Sequence, residues 1–146
     1  MPKLEDVMQE WKIDSKLSID TLQKDLYNTP NIHAKYLEYY IWFKAKLSAA
    51  EKNYNTMQWI KRKYFRGECE QHELTKYGWS QWQGIKPSQQ ELNFLLESDC
   101  DMNDLKERVE YFKTAVNSIE YIMRSIGGRD YTLKTIVDYQ KYLSGN

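Results

Sequence analysis

The chain of 146 residues is poor in the residues that build many catalytic and disulfide-stabilised sites. It has two histidines and two cysteines, Cys69 and Cys100, which are too few for a disulfide framework and point to a reducing compartment. No apolar signal segment follows Met1, and no run approaches the roughly 18 apolar residues of a membrane span. We therefore expect a cytosolic protein without a membrane partner.

The chain also lacks net charge, because 21 basic residues balance 21 acidic ones. The distribution is uneven: residues 30–66 carry eight Lys or Arg against two acids, a local net charge of +6. Residues 67–110 carry ten acids against four bases, a net charge of −6. A basic segment of this kind favours a polyanionic partner such as single-stranded nucleic acid.

Motifs for catalysis and cofactor binding are scarce as well. The Gly-Gly pair before Arg129 lacks the spacing of a phosphate-binding loop, and no Ser or Cys lies in a context that suggests activation. Cys69 and His72 have the spacing of half a zinc site, but a structural site needs four ligands. The acids between Glu97 and Asp104 could bind a divalent cation, although helix capping explains them more simply. We therefore predict a non-enzymatic protein with no cofactor and no metal.

No run of Val, Ile and Thr alternates with period two, whereas apolar residues recur at helical spacing. We predict an all-α fold in a single domain, residues 1–146. It consists of two long antiparallel helices, short flanking helices and a C-terminal oligomerisation helix. The expected segments are a basic long helix over 30–66, a loop over 67–87, a second long helix over 101–127 and the C-terminal helix over 130–144.

Each long segment carries an apolar seam with alternating steps of four and three residues, which predicts that the two helices pack together. The first seam comprises Tyr36, Tyr40, Phe43, Leu47, Ala50, Tyr54, Met57, Lys61 and Tyr64. The second seam comprises Leu105, Val109, Phe112, Val116, Ile119, Met123 and Ile126.

Capping residues set the expected helix ends. Pro30 should begin the first long helix, because an α-helix tolerates proline only in its first turn. Asp101 should cap the second long helix, and Gly127-Gly128 should end it in the left-handed conformation. Ser18 and the Ser88-to-Glu91 capping box predict the starts of two shorter helices.

The end of the first long helix is the strongest candidate site, because Lys and Arg alternate there with aromatic rings that could stack on bases. A solvated helix end, whose cations balance the helix dipole, is the simpler alternative, but it does not require six excess charges. The candidate DNA-binding residues are Lys44, Lys52, Trp59, Lys61, Arg62, Lys63, Tyr64, Phe65 and Arg66.

The C-terminal helix has an apolar stripe, and the two-helix core offers this stripe little surface to pack against. We expect this stripe to contact a neighbouring subunit. The candidate oligomerisation residues are Leu133, Ile136, Val137 and Leu143.

Several segments, in order along the chain, resemble the UvsY family of recombination mediators from T-even-type phages. These segments are Leu4-Glu5-Asp6, Trp11-Lys12-Ile13-Asp14, Ile19-Asp20, Pro30-x-x-His33-x-Lys35-Tyr36, Lys63-Tyr64-Phe65-Arg66-Gly67 and Ser125-Ile126-Gly127-Gly128-Arg129-Asp130-Tyr131-Thr132-Leu133-Lys134. The last of them, continued by residues 140–145, is the most specific. The aromatic segment 77–82 has no counterpart in the family.

The resemblance implies a ring-like homo-oligomer, hexameric or heptameric, that binds single-stranded DNA without sequence preference. Such a protein helps a RecA-like phage recombinase replace the single-strand-binding protein, in the cytoplasm of the host cell. The resemblance places the DNA contacts near the end of the long helix, at Lys61, Arg62, Lys63 and Arg66, and self-association in the C-terminal region.

Two alternative functions remain open: a coiled-coil scaffold that binds only protein partners, and a subunit of a metal-dependent nuclease.

Overall fold

The computed structural model describes residues 2–145, and all regular structure within them is helical, which confirms the all-α prediction. Met1 and Asn146, the ends of the expected domain, lie outside the described residues. No helix in the described part has both the length and the apolar character that crossing a membrane demands. The helices are α1 Leu4–Asp14, α2 Leu22–Phe65, α3 Gln71–Tyr77, α4 Gln89–Ser98, α5 Cys100–Gly127 and α6 Arg129–Leu143, with a 3-10 turn at Ile19–Thr21.

Helix α2 is longer than expected, because it begins well before Pro30 and continues through it. Proline has no N–H to donate to the preceding turn. In that turn, the carbonyl of Asp25 accepts hydrogen bonds from Thr29 Oγ1 (3.0 Å) and from Arg129 Nη2 (3.4 Å). These side-chain bonds support the backbone next to the interruption. The prediction that the helix starts at Pro30 is therefore wrong.

Two of the expected caps are present. The Ser18 hydroxyl accepts a hydrogen bond from the Asp20 N–H at 3.2 Å, and thereby caps the 3-10 turn that leads into α2. Ser88 and Glu91 form the expected capping box at the start of α4, with reciprocal bonds of 3.3 and 3.0 Å. Both capping bonds follow from the sequence because the capping residues act over two or three positions. The separate short helix predicted after Ser18 is wrong, because the chain continues from the 3-10 turn into α2.

The ends of α5 differ from the prediction. Asp99, rather than Asp101, accepts a hydrogen bond from the Met102 N–H at 3.1 Å, so α5 begins at Cys100. At the other end, Gly128 has a φ of −86° and connects α5 directly to α6. The predicted left-handed ending is therefore wrong.

The segment expected to be a loop contains α3. Glu70 and Glu73 form a capping box at its start, and Gly78, with φ of 70°, ends it in the left-handed conformation. Gly67 ends α2 in the same way, with φ of 73°. Residues 79–87 are irregular, as expected for a loop.

The chain divides into two compact units. The first contains the chain up to Ala45 and the chain from Thr114, and the second is Lys46–Lys113. In the first unit, the Tyr40 hydroxyl donates to Glu120 at 3.3 Å, where α2 runs antiparallel to α5. Its buried core is built from both seams and from α6: Tyr36, Phe43, Val116, Ile119, Ile126 and Leu133.

The second unit pairs the later part of α2 with the beginning of α5 and adds α3 and α4. Tyr54 of α2 and Val109 of α5 line one shallow groove, and Lys61 contacts Asp99 at the start of α5. A cluster of Phe65, Leu92 and Leu96 fixes α4 to the end of α2. This packing decides which side of the basic helix end remains exposed.

Candidate nucleic-acid interface

The exposed side of α2 in the second unit is basic. An α-helix turns by about 100° per residue, so five of the candidate positions fall within about 100° of its circumference. These positions are Lys52, Trp59, Arg62, Lys63 and Arg66. The seam residues lie on the other side of the helix and face the core.

The side chains on this surface differ in solvent exposure and in whether they form ion pairs. Lys52 and Arg66 are exposed, and Trp59 is 63% exposed. Arg62 is half-buried at the edge of a groove between α2, α4 and α5. Within residues 2–145, neither Lys52 nor Arg62 nor Arg66 forms an ion pair. Lys44 is exposed as well, but it belongs to the first unit.

Lys63 is half-buried and has a fixed partner. Its Nζ lies 2.7 Å from Glu73 Oε1 and 5.3 Å from the centre of the Trp59 ring. The hydrogen bond from Lys63, followed by the bond from the Glu70 N–H, lowers the pKa of Glu73 below its ordinary value. The same bond to Glu73 raises the pKa of Lys63. Both groups are therefore charged over a wide pH range.

Lys61 is not available on the surface. It is 5% exposed, and its Nζ lies 3.1 Å from Asp99 Oδ1 and 3.0 Å from Asp101 Oδ2. The ammonium also lies 4.3 Å from the ring centre of Trp79. This candidate DNA-binding residue is therefore buried, because its seam position directs its side chain toward the start of α5.

Two of the aromatic candidates are packed within the second unit. Phe65 is buried with Leu92 and Leu96 of α4, although it was expected off the seam. Tyr64 is half-buried, and its hydroxyl donates to the Ser80 carbonyl at 2.8 Å. Neither ring is free to stack on bases in this structure, whereas the Trp59 ring is largely exposed.

The aromatic segment 77–82 packs against the end of α2. Tyr77 and Trp79 stack with ring centres 4.6 Å apart, and the Trp82 ring meets Phe65 edge-on at 5.0 Å. A Cβ at Gly84 would lie 2.4 Å from the Trp82 ring, which explains a glycine there. The density of Trp and Tyr was visible in the sequence, but their packing partner was not.

Potential metal-ligand atoms of Glu70, His72 and Glu73 lie within 4.8 Å of one another. Both carboxylates already accept bonds in the α3 capping box, and Glu73 also binds Lys63. The Cys69 thiol is not in this group, and burial raises its pKa. The arrangement is therefore explained by the helix start and by the ion pair.

The C-terminal stripe is only partly exposed. Leu133 is fully buried in the core of its own unit, which corrects the expectation that it faces a neighbouring subunit. Ile136 and Val137 are half-buried, and Leu143 is exposed. Tyr139 is exposed on the same flank of α6, so this flank is more aromatic than the predicted stripe.

Arg129, in the segment with the most specific resemblance, holds α6 in place. Its side chain is buried, and it donates to the Asp14 carbonyl at 2.8 Å and the Asp25 carbonyl at 3.4 Å. These bonds connect the start of α6 to the end of α1 and to α2. The residue supports the fold of the first unit.

The family model that matches residues 10–146 is that of UvsY, described as a recombination, repair and ssDNA binding protein. A crystal structure of the bacteriophage T4 recombination mediator protein UvsY, in lattice type II, matches with a TM-score of 0.84 and 19% identity over 99% of both chains. A second crystal structure of that protein, in lattice type IV, matches with a TM-score of 0.78 and 18% identity, over 97% of this chain and 98% of the other. At this identity the structural likeness establishes the fold. No curated protein sequence matches the chain significantly.

Proposed function

Since this chain belongs to the UvsY family, we propose that it binds single-stranded DNA along the exposed side of α2 and acts as a recombination mediator. The observation that carries the proposal is the group of unpaired cations around Trp59. Among the residues that the structure describes, Lys52, Arg62 and Arg66 have no ion-pair partner, and they lie on one side of a single helix. That pattern favours the binding of an extended polyanion.

The chemistry of this side fits a strand without sequence preference. Lysine and arginine bind phosphates, which every nucleotide carries, and an exposed indole can stack on any base. Lys63 lies beside the Trp59 ring, so a stacked base and its phosphate would meet neighbouring groups. Lys44, exposed in the first unit, is a separate candidate for a phosphate contact.

The proposal extends to assembly and partners. A ring-like homo-oligomer, hexameric or heptameric, would multiply weak phosphate contacts through effective concentration. The ring would hold the strand for a RecA-like phage recombinase, which then replaces the single-strand-binding protein in the host cytoplasm. The exposed apolar flank of α6 supports the assembly step.

Salt-dependent binding to a random single-stranded oligonucleotide tests the proposal. We expect strong binding at low salt, with log K falling linearly against log salt. The double variant Lys52→Ala and Arg66→Ala should make the slope of log K against log salt shallower by about 0.7 per lost phosphate contact. Lys16→Ala with Lys24→Ala is the matched control, because it removes the same charge from exposed lysines of the first unit.

The outcomes separate the candidate functions. Equal losses in the two double variants would mean that the overall charge, not this side of α2, attracts the DNA. A wild-type chain that binds no single strand at any salt concentration would favour the protein scaffold. Degradation of the oligonucleotide with magnesium would favour the nuclease subunit.

A further inference from the structure

Lys63 differs from the other cations on the exposed side of α2, because its charge is already compensated. Glu73 Oε1 accepts hydrogen bonds from Lys63 Nζ at 2.7 Å and from the Glu70 N–H at 2.9 Å. The Glu73 side chain is 12% exposed, whereas Lys63 keeps 28% of its side chain in contact with solvent. Solvent therefore reaches the lysine more readily than the acid.

The helix that carries Glu73 is anchored, so the carboxylate is held in place rather than swinging freely. Leu74 is buried, and its carbonyl accepts a hydrogen bond from the Trp79 N–H at 2.9 Å. The reciprocal capping box of Glu70 and Glu73 fixes the first turn of α3. The Cys69 thiol, just before that turn, lies 3.9 Å from the Ile60 carbonyl of α2.

We propose that Glu73 is an affinity-setting residue of the DNA site, because its carboxylate binds Lys63 where a backbone phosphate would. This inference rests on the proposed function. An ammonium has three donor hydrogens, and the 28% of the Lys63 side chain that remains in contact with solvent gives an incoming phosphate access to it. A phosphate must therefore share or displace Glu73, which weakens the contact. A weakened contact lets a mediator release the strand to the next protein.

Glu73→Gln tests the inference in the full-length chain, with a random single-stranded oligonucleotide as the probe. Glutamine at this position can still accept the Glu70 N–H bond, so the capping box survives while the charge is lost. We expect about fivefold tighter binding at low salt and a salt slope steeper by about 0.7, as for one additional phosphate contact. Glu68→Gln is the control, because it removes the same charge from an exposed residue near α3.

A double-mutant cycle shows whether Glu73 acts through Lys63. In a Lys63→Met background, Glu73→Gln should change affinity no more than Glu68→Gln does. Weaker binding by Glu73→Gln in the wild-type background would overturn the inference, since Glu73 would then position Lys63 for DNA. An effect equal to that of Glu68→Gln would overturn it too.

The proposed function is tested separately by the Lys52 and Arg66 variants. If those variants lose affinity while Glu73→Gln does not gain it, the inference fails and the DNA site stands. If the wild-type chain does not bind the oligonucleotide at all, the proposed function itself fails.

Discussion

The Lys61 ammonium lies 3.1 Å from the Asp99 carboxylate, and Asp99 also caps the start of α5. One lysine of the basic cluster therefore joins α2 to the start of α5 instead of facing a ligand. The cluster contains two kinds of cation: Lys61, which stabilises the second unit, and exposed residues such as Arg66, which do not.

Lys61→Ala should lower the stability of the protein by about 3 kcal/mol, because it leaves the Asp99 carboxylate without its partner in a largely buried site. Arg66→Ala, the matched loss of an exposed cation, should stay within about 0.5 kcal/mol of wild type. Urea unfolding of both variants measures this difference. A Lys61→Ala chain as stable as wild type, but defective in DNA binding, would return Lys61 to the DNA site.

Trp59→Ala should weaken binding to single-stranded DNA by about 1–3 kcal/mol, the usual value of stacking on one base. Its ring is exposed, so the free energy of unfolding should hardly change. Phe94→Ala is the control, since Phe94 is an equally exposed ring on α4 of the same unit. Fluorescence titration with a labelled oligonucleotide measures both variants. Equal losses in the two would argue against stacking at Trp59.

The sequence predicted the helical fold and the inward side of each long helix, because seam periodicity reports burial directly. The seam even included Lys61, and its burial confirms that the periodicity was the better guide to this residue than the run of charges. The sequence did not predict that Lys61 pairs with Asp99 or that Lys63 pairs with Glu73, since tertiary packing brings each pair together. The bond from Arg129 to the Asp25 carbonyl, in the turn before Pro30, likewise joins residues that are distant in sequence.

The Lys63–Glu73 pair should contribute to stability only within a defined pH window. The carboxyl pKa is lowered in the folded chain, so its contribution is complete above the ordinary value of 4.5 and is lost as the pH falls through the lowered pKa. The lysine pKa is raised, so that contribution is complete below 10.5 and is lost as the pH rises through the raised pKa.

Thermal unfolding of wild type and Glu73→Gln across the acid range measures this window. Wild type should be the more stable near neutral pH, and the difference should vanish at low pH, where Glu73 is protonated. Glu68→Gln should show no such pH-dependent difference, because Glu68 is exposed. A gap between wild type and Glu73→Gln that stays constant into strong acid would show that the ion pair does not cause it.

Assembly through α6 can be tested on side chains that leave the subunit intact. Ile136 and Val137 are half-buried in their own unit, so charges there would damage the subunit itself. Tyr139 and Leu143 are exposed on the same flank, at 61% and 65%. Replacing both with Asp should leave the helical circular dichroism unchanged but put charge into the proposed interface between subunits.

We expect the Tyr139→Asp and Leu143→Asp double variant to dissociate into small species, and light scattering measures their mass. Its DNA affinity should drop further than one subunit's contacts explain, because avidity is lost with the ring. The control is Lys134→Ala with Lys141→Ala, which changes the net charge equally on the opposite side of α6. A large oligomer that survives in the Asp variant would place the interface elsewhere. Dissociation of the control as well would point to general repulsion between subunits rather than to this flank.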